Sequence, residues 1–106
     1  MMRNKYGARK VTAPDGKVFD SQKEYNRWCN LRLLERAGKI TDLKRQIPYE
    51  LIPKQDGERA CTYVADFVYY EDGKLVVEDC KGFRTEAYRI KRKLMLLVHN
   101  IKIKET

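Results

Sequence analysis

Two aspartates, Asp66 and Asp79, lie in segments that otherwise have the composition of β-strands. Residues 63–70 and 75–80 are rich in β-branched and aromatic side chains, and Asp72-Gly73 between them predicts a tight hairpin. In a hairpin centred on that dipeptide, Asp66 faces Asp79 directly. Facing positions have Cβ atoms about 4.5–5.5 Å apart, and like charges at that distance repel each other. A purely structural explanation must therefore account for an unfavourable electrostatic free energy.

A divalent cation between the two carboxylates would remove that cost. Mg²⁺ takes hard oxygen ligands, commonly one or two carboxylates completed by water and phosphate oxygens, so Asp66 and Asp79 are predicted metal ligands, with Mn²⁺ as a substitute. Lys81 projects from the same face as Asp79, where an ammonium could assist an attacking water or balance a phosphate charge. Glu78 points to the opposite face, but one bulge would make it the ligand instead of Asp79. An exposed, metal-free charge pair remains the alternative.

The elements that must position these residues are predicted from periodicity and turn signals. Ser21 to Glu24 has the pattern of a capping box, and apolar residues at helical spacing continue until Gly38, which predicts a first helix over about 21–37. Residues 46–52 alternate loosely around Pro48 and are expected to form an edge or irregular strand. A small hairpin is predicted within 11–19 from its Pro-Asp-Gly turn signal.

The C-terminal part of the chain predicts a second helix and a last strand. Thr85 can cap the helix, and residues 100–104 alternate Ile with Lys. The apolar face of this helix is expected to consist of Ala87, Ile90, Leu94 and Leu97. His99 is predicted to lie at a strand edge and to act as neither ligand nor base. The order helix, three strands, helix, strand predicts an α/β domain of the α+β kind, with a mixed sheet.

Length and charge restrict the classes of function. The chain has 106 residues and a formal net charge of +8, which favours a polyanionic partner such as nucleic acid. Residues 1–10 are predicted to be a basic flexible arm and 11–106 a single domain. No apolar run reaches the roughly 20 residues of a spanning helix, so no membrane association and a cytoplasmic location are expected. The three cysteines form no CxxC pair, and neither a zinc site nor a disulfide framework is indicated.

Ala65-Asp66 followed by Asp79-Cys80-Lys81, between two helices, resembles the two half-motifs of the PD-(D/E)XK nuclease superfamily, whose restriction-endonuclease-like core has the order αβββαβ. The blocks FDSQKE, YVADFVYY, VVEDCKG and YRIKRKL resemble, more closely, a phage-encoded, Holliday junction resolvase-like family within that superfamily. The resemblance extends over about residues 19–96. Alanine replaces the usual proline before Asp66, and aspartate replaces the more usual glutamate at position 79.

The resemblance implies a Mg²⁺-dependent endonuclease that cuts branched DNA, such as a four-way junction, and a homodimer that makes the two symmetric cuts. It also implies a metal-site role for Glu24, although Glu24 is at the same time the last residue of the capping box. Lys91 would lie near the scissile phosphate, unless it belongs to a solvated helix face, and Gln46 has no predicted geometry. The predicted DNA contacts are Lys91, Arg89, Arg92, Lys93, Arg84, Lys10 and Arg9. The alternatives are a non-catalytic basic DNA-binding protein and a nickase or flap endonuclease.

Overall fold

A four-stranded mixed sheet and two helices form the body of the chain in the computed structural model, which describes residues 9–106. The elements are β1 (Val11–Thr12), β2 (Val18–Phe19), α1 (Gln22–Arg36), β3 (Thr41–Ile52), β4 (Cys61–Glu71), β5 (Lys74–Asp79), α2 (Glu86–His99) and β6 (Lys104–Glu105). The strand order β3-β4-β5-β6 is antiparallel except for the parallel pair β5/β6, which α2 connects. The mixed α+β class is therefore confirmed. The predicted basic arm lies, for its first eight residues, outside the described residues.

The start of α1 brings an acidic side chain inward. The Ser21 hydroxyl caps the helix by accepting from the Glu24 amide at 3.1 Å. The Glu24 carboxylate reaches past the cap and accepts from the Asp20 amide at 3.0 Å. The helix ends just before Gly38, whose φ of 76° suits a C-terminal stop, so the predicted range is confirmed. Leu31 anchors the middle of the helix in the core.

The hairpin of β4 and β5 has the predicted register. Asp72 and Gly73 have φ values of 52° and 75°, which is the geometry that a two-residue type I′ turn requires. Pairing then runs without a shift from the turn to Phe67 opposite Glu78. The same register directs Asp79 and Glu78 to opposite faces of the sheet.

The strand β3 lies at the sheet edge, as predicted, but it begins at Thr41 and not at residue 46. Asp42 and Gln46 have φ values of 55° and 53°, and the register shifts between Thr41 and Lys44. These irregularities interrupt the alternation of apolar and polar residues, which is why the first part of the strand carries no recognisable pattern.

The predicted apolar face of α2 is wrong. Tyr88 and Met95 are the buried residues of the helix, whereas Ile90 and Leu97 are 51% and 80% exposed and Ala87 is exposed as well. Leu94 alone of the predicted set packs partly against the core. The Tyr88 hydroxyl donates to the Glu105 carboxylate of β6 at 2.7 Å, and this long-range contact helps to set the rotation of the helix about its axis.

The predicted last strand is also wrong in its extent. The helix α2 continues to His99, and Asn100 ends it in the left-handed conformation with φ 56°. The strand β6 is consequently limited to Lys104–Glu105. His99 lies in the last helical turn and not at a strand edge, and its Nε2 is 2.7 Å from the backbone oxygen of Glu50.

The core consists of two apolar clusters. The cluster that includes residues of α2 contains Leu51, Tyr63, Ala65, Val68, Val77, Tyr88, Met95 and Ile103. The cluster that includes residues of α1 contains Leu31, Ile40, Phe67, Tyr69 and Cys80. No helix within residues 9–106 combines the length and the hydropathy needed to cross a membrane.

Candidate active site

A cleft of about 920 Å³ opens where the start of α1, the first half of β4, the residues after β5 and the first half of α2 meet. Three predicted site residues, Glu24, Asp66 and Lys81, line it. Asp79 is fully buried beside them. The remaining lining residues are Lys10, Asp20, Ser21, Thr62, Tyr63, Val64, Cys80, Gly82, Phe83, Thr85, Ala87, Tyr88 and Lys91.

Asp66 is located where the strand β4 changes the direction of its side chains. In a regular strand, every second residue lies on the same face of the sheet. In β4, however, Tyr63 and Ala65 belong to the cluster with α2, whereas Phe67 and Tyr69 belong to the cluster with α1. Asp66 lies at this change, and its Oδ2 accepts from the backbone amide of Cys80 at 2.8 Å. The side chain thus bridges β4 to the end of β5.

Asp79 is held by a tyrosine. The Tyr63 hydroxyl donates to Asp79 Oδ2 at 2.6 Å, while Lys81 Nζ lies 3.7 Å from Asp79 Oδ1. Within the described residues, Asp79 Oδ1 has no hydrogen-bond partner. Burial raises the pKa of Asp79, and the Tyr63 hydrogen bond and the Lys81 charge act in the opposite direction. A buried carboxylate oxygen without a donor is costly, which makes it a candidate ligand atom.

Burial and neighbouring negative charges raise the pKa of the acids in the cleft. The pKa of Asp66 is raised to about 7, first by burial and then by the charge of Asp79, with a smaller contribution from Glu24. Burial also raises the pKa of Glu24. The local positive charge of Lys81 does not offset these effects, so the site favours an additional cation or proton.

Glu24 has both carboxylate oxygens in contact with protein donors. Oε2 accepts from the Asp20 amide, and Oε1 lies 3.5 Å from Gln46 Nε2. Gln46 falls between the pairs Arg45–Phe67 and Ile47–Ala65, and thus opposite Asp66. The left-handed backbone at Gln46 accompanies this approach to the cleft.

The donor set fits Mg²⁺ or Mn²⁺. Among the described residues, no group of three or more His, Cys, Asp or Glu side chains forms a metal site by itself. Mg²⁺ is commonly bound through one or two carboxylates, with water and substrate phosphate in the remaining positions. Asp66 and Asp79 provide such a pair, and each has one oxygen held by an internal donor.

Glu78, the alternative ligand, is on the other side of the sheet. Its Oε1 accepts from Arg27 Nε at 2.9 Å and lies 2.7 Å from Arg27 Nη2. Glu78 is fully buried, so this ion pair compensates its charge. The arrangement leaves Asp79 as the acid on the side of the cleft.

The predicted DNA-contacting residues divide into three groups. Lys10 and Lys91 line the cleft. Arg84 and Arg92 each lie 3.0 Å from Glu105 Oε2, so internal ion pairs occupy them. The exposed residues Arg9, Arg89 and Lys93 are not among the cleft-lining residues.

Two residues of the site carry no signal in the sequence. Tyr63 was indistinguishable from the other aromatic residues of its strand, because a strand pattern does not show which group a buried hydroxyl reaches. Phe83 follows the acid-x-Lys motif, but only the course of the loop brings it to the cleft.

The fold and the site describe a mixed α+β protein in which buried carboxylates and a lysine meet at a cleft. Residues 3–105 match the model of a family described as a protein of unknown function, DUF1064, and the chain belongs to that family. No curated protein and no solved structure matches the chain. The geometry of the cleft is therefore the main indication of what the protein does.

Proposed function

We propose that this protein is a metal-dependent, structure-selective DNA endonuclease of the PD-(D/E)XK type, with a restriction-endonuclease-like core and with branched DNA, such as a four-way junction, as its substrate. One observation carries the proposal. Asp66 and Lys81 line one cleft and Asp79 is buried beside Lys81, while Arg27 holds Glu78 on the opposite face. This is the arrangement that the acid and acid-x-Lys half-motifs require.

The side chains have distinct roles in this proposal. A bound Mg²⁺ or Mn²⁺ would supply activation of a water molecule and neutralisation of charge on the phosphate. Asp66 and Asp79 hold the ion, and the Cys80 amide and the Tyr63 hydroxyl fix the orientation of these carboxylates. Lys81, which is partly exposed, contacts the phosphate or orients the nucleophilic water.

Glu24 and the cleft lysines complete the site. Glu24 acts through a water molecule, because both of its oxygens already contact protein donors. Lys10 and Lys91 bind the phosphates that flank the cut. A net charge of +8 on a small chain favours recognition through phosphates and DNA shape over reading of a long base sequence.

Resolution of a four-way junction requires two symmetric cuts, so the proposal includes a homodimer. The exposed stripe of α2 that contains Ile90 and Leu97 is the surface we assign to the dimer. Sedimentation of wild type and of Leu97→Lys tests this assignment. We expect a dimer for wild type and a monomer for the variant, and a wild-type monomer at micromolar concentration contradicts it.

The test of the activity is cleavage of labelled four-way junction, flap and linear duplex DNA in Mg²⁺, Mn²⁺ or EDTA. Wild type is compared with Asp79→Asn and with the adjacent control Glu78→Gln, after thermal unfolding has shown that both variants fold. We expect paired, metal-dependent cuts at the junction that Asp79→Asn abolishes and Glu78→Gln retains.

Other outcomes distinguish the alternatives. Cleavage restricted to flaps or nicks would replace the resolvase with a different nuclease. If wild type cuts no substrate in either metal but binds DNA in a salt-sensitive way, the protein is a non-catalytic DNA-binding protein, and the endonuclease proposal is wrong.

A further inference from the structure

Phe83 is an exposed aromatic residue at the cleft. It lies on the loop between β5 and α2, two residues after Lys81, and 54% of its surface is exposed. The other two aromatic residues that line the cleft, Tyr63 and Tyr88, are buried in the core. Among the described residues that line the cleft, Phe83 is therefore the aromatic residue with the largest exposed fraction.

The acids of the site are recessed. Asp66, Glu24 and Asp79 are 6%, 2% and 0% exposed, so a phosphate that reaches them must enter the cleft. Duplex DNA is stiff over the length of such a site, and its stacked bases resist local displacement of one strand. A strand whose bases are unpaired can bend inward at little cost. The depth of the acids thus favours a locally single-stranded segment.

The charges around Phe83 suit one DNA strand. Lys10, Lys81 and Lys91 line the same cleft, whereas Arg84 and Arg92, which do not line it, form ion pairs with Glu105. Proteins that bind single strands combine a cationic groove for the backbone with aromatic side chains on which bases stack. Both components are present within this one cleft.

We propose that Phe83 stacks on an unpaired base beside the phosphate that enters the cleft, and that the preferred ligand is DNA with a short single-stranded segment at a branch. The choice of DNA rests on the proposed function. The inference goes beyond it by assigning a specificity-determining residue and by ranking branched substrates, with those that contain unpaired nucleotides above fully paired ones.

The test is equilibrium binding, measured by fluorescence anisotropy in EDTA so that cleavage does not interfere. The ligands are a labelled single strand, a flap, a fully paired four-way junction and a linear duplex. The proteins are wild type, Phe83→Leu, and Phe83→Tyr, which keeps an aromatic ring. Leu33→Ala, which removes an exposed apolar side chain of α1 away from the cleft lining, is the control for non-specific apolar contact.

We expect Phe83→Leu to weaken binding of the single strand and the flap about tenfold, which is within the range for loss of one base–aromatic stack, and to leave duplex binding within about twofold. Phe83→Tyr and Leu33→Ala should bind like wild type. Equal losses on all four ligands, or no loss on any of them, would overturn the inference.

This result is independent of the cleavage assay. A selective loss of single-strand binding together with an inactive wild type supports the role of Phe83 and refutes the endonuclease. Cleavage at a fully paired junction with unchanged binding by Phe83→Leu supports the endonuclease and refutes the role of Phe83.

Discussion

Asp66 lines the cleft and Asp79 is fully buried beside it, with Lys81 Nζ 3.7 Å from Asp79 Oδ1. Burial raises the pKa of both carboxyl groups, and the proposed metal ion would compensate their negative charge. Among the described residues, Asp79 Oδ1 has no hydrogen-bond partner, but the same is true of Glu78 Oε2 on the other face of the sheet. The distinguishing feature of Asp79 is therefore its position beside Asp66 and Lys81.

The pKa of Asp66 predicts how the metal-free protein responds to pH. The pKa is about 7 in the folded chain and near the ordinary aspartate value of 3.8 in the unfolded chain, so the folded state binds more protons between these values. Stability is therefore lost as the pH rises from about 4 to 7, and the loss is complete above that range. We expect wild type in EDTA to unfold at lower urea concentration at pH 8 than at pH 5, and Asp66→Asn to show a smaller difference.

The control for this experiment is Asp56→Asn, which changes an exposed carboxyl group. It should retain the pH dependence of wild type. If Asp66→Asn also retains it in full, Asp66 does not titrate in this range. Addition of Mn²⁺ should stabilise wild type more at pH 8 than at pH 5, because the ion competes with the proton for the carboxylates.

Tyr63 is expected to be a positioning residue for the metal. Its hydroxyl fixes one oxygen of Asp79, and loss of a hydrogen bond to a ligand typically lowers metal affinity about 10–100-fold. We expect Tyr63→Phe to weaken Mn²⁺ binding about tenfold, measured by calorimetry without DNA. Tyr88→Phe, which removes a hydroxyl that contacts Glu105 and not Asp79, is the matched control. Equal Mn²⁺ affinity in wild type and Tyr63→Phe contradicts the assignment.

At the scale of the elements, the buried face of α2 contributes to stability and its exposed face does not. Met95 is fully buried in the core, and Leu97 is the most exposed large apolar residue of the helix. We expect Met95→Ala to lower the free energy of unfolding by about 2–5 kcal/mol and Leu97→Ala to change it by less than about 0.5 kcal/mol in the monomer. Urea unfolding, repeated over protein concentration to separate the effect of association, measures both. If Leu97→Ala lowered the free energy of unfolding more than Met95→Ala, the buried face of α2 would be the one predicted from the sequence.

The strand β5 separates two neighbouring acids by simple alternation. Glu78 packs against Arg27 on one face, and Asp79 contacts Tyr63 on the other. The register that achieves this is set by the Asp72-Gly73 turn, and Asp72 precedes Asp79 by seven residues. One inserted residue in this hairpin would exchange the acids, so the turn is part of the site.

At the scale of the whole molecule, the net charge of +8 overstates the charge available to a ligand. Arg27, Arg84 and Arg92 are engaged in internal ion pairs. Among residues 9–106, the cations that line the cleft are Lys10, Lys81 and Lys91. DNA affinity should consequently depend on where a charge lies and not on its number alone.

The lysines of α2 offer a matched test of this point. Lys91 lines the cleft and Lys93 is exposed elsewhere on the same helix. We expect Lys91→Gln to reduce the slope of log affinity against log salt for flap DNA by about one, and Lys93→Gln to reduce it by much less. Binding titrations between low and moderate salt measure the slope. Equal effects of the two substitutions would place the DNA over the outer surface of α2.

The amino-acid sequence by itself determined the elements and the register of the hairpin. Ser21 and Thr85 both act as helix caps, and the Asp72-Gly73 turn sets Phe67 opposite Glu78 as predicted. These features depend on contacts within a few residues of the chain, where residue type and spacing largely decide the outcome. The same hairpin register predicts that Asp66, Asp79 and Lys81 lie close together.

Only the tertiary structure decided which face of α2 is buried, where β3 begins and what each carboxylate contacts. Tyr88 to Glu105, Tyr63 to Asp79 and Arg27 to Glu78 join residues far apart in the chain. A periodic pattern records that a side chain is apolar or charged, but not which distant group compensates it. The rotation of α2 and the environment of the cleft follow from those long-range contacts, because buried polar groups must find their partners in the folded chain.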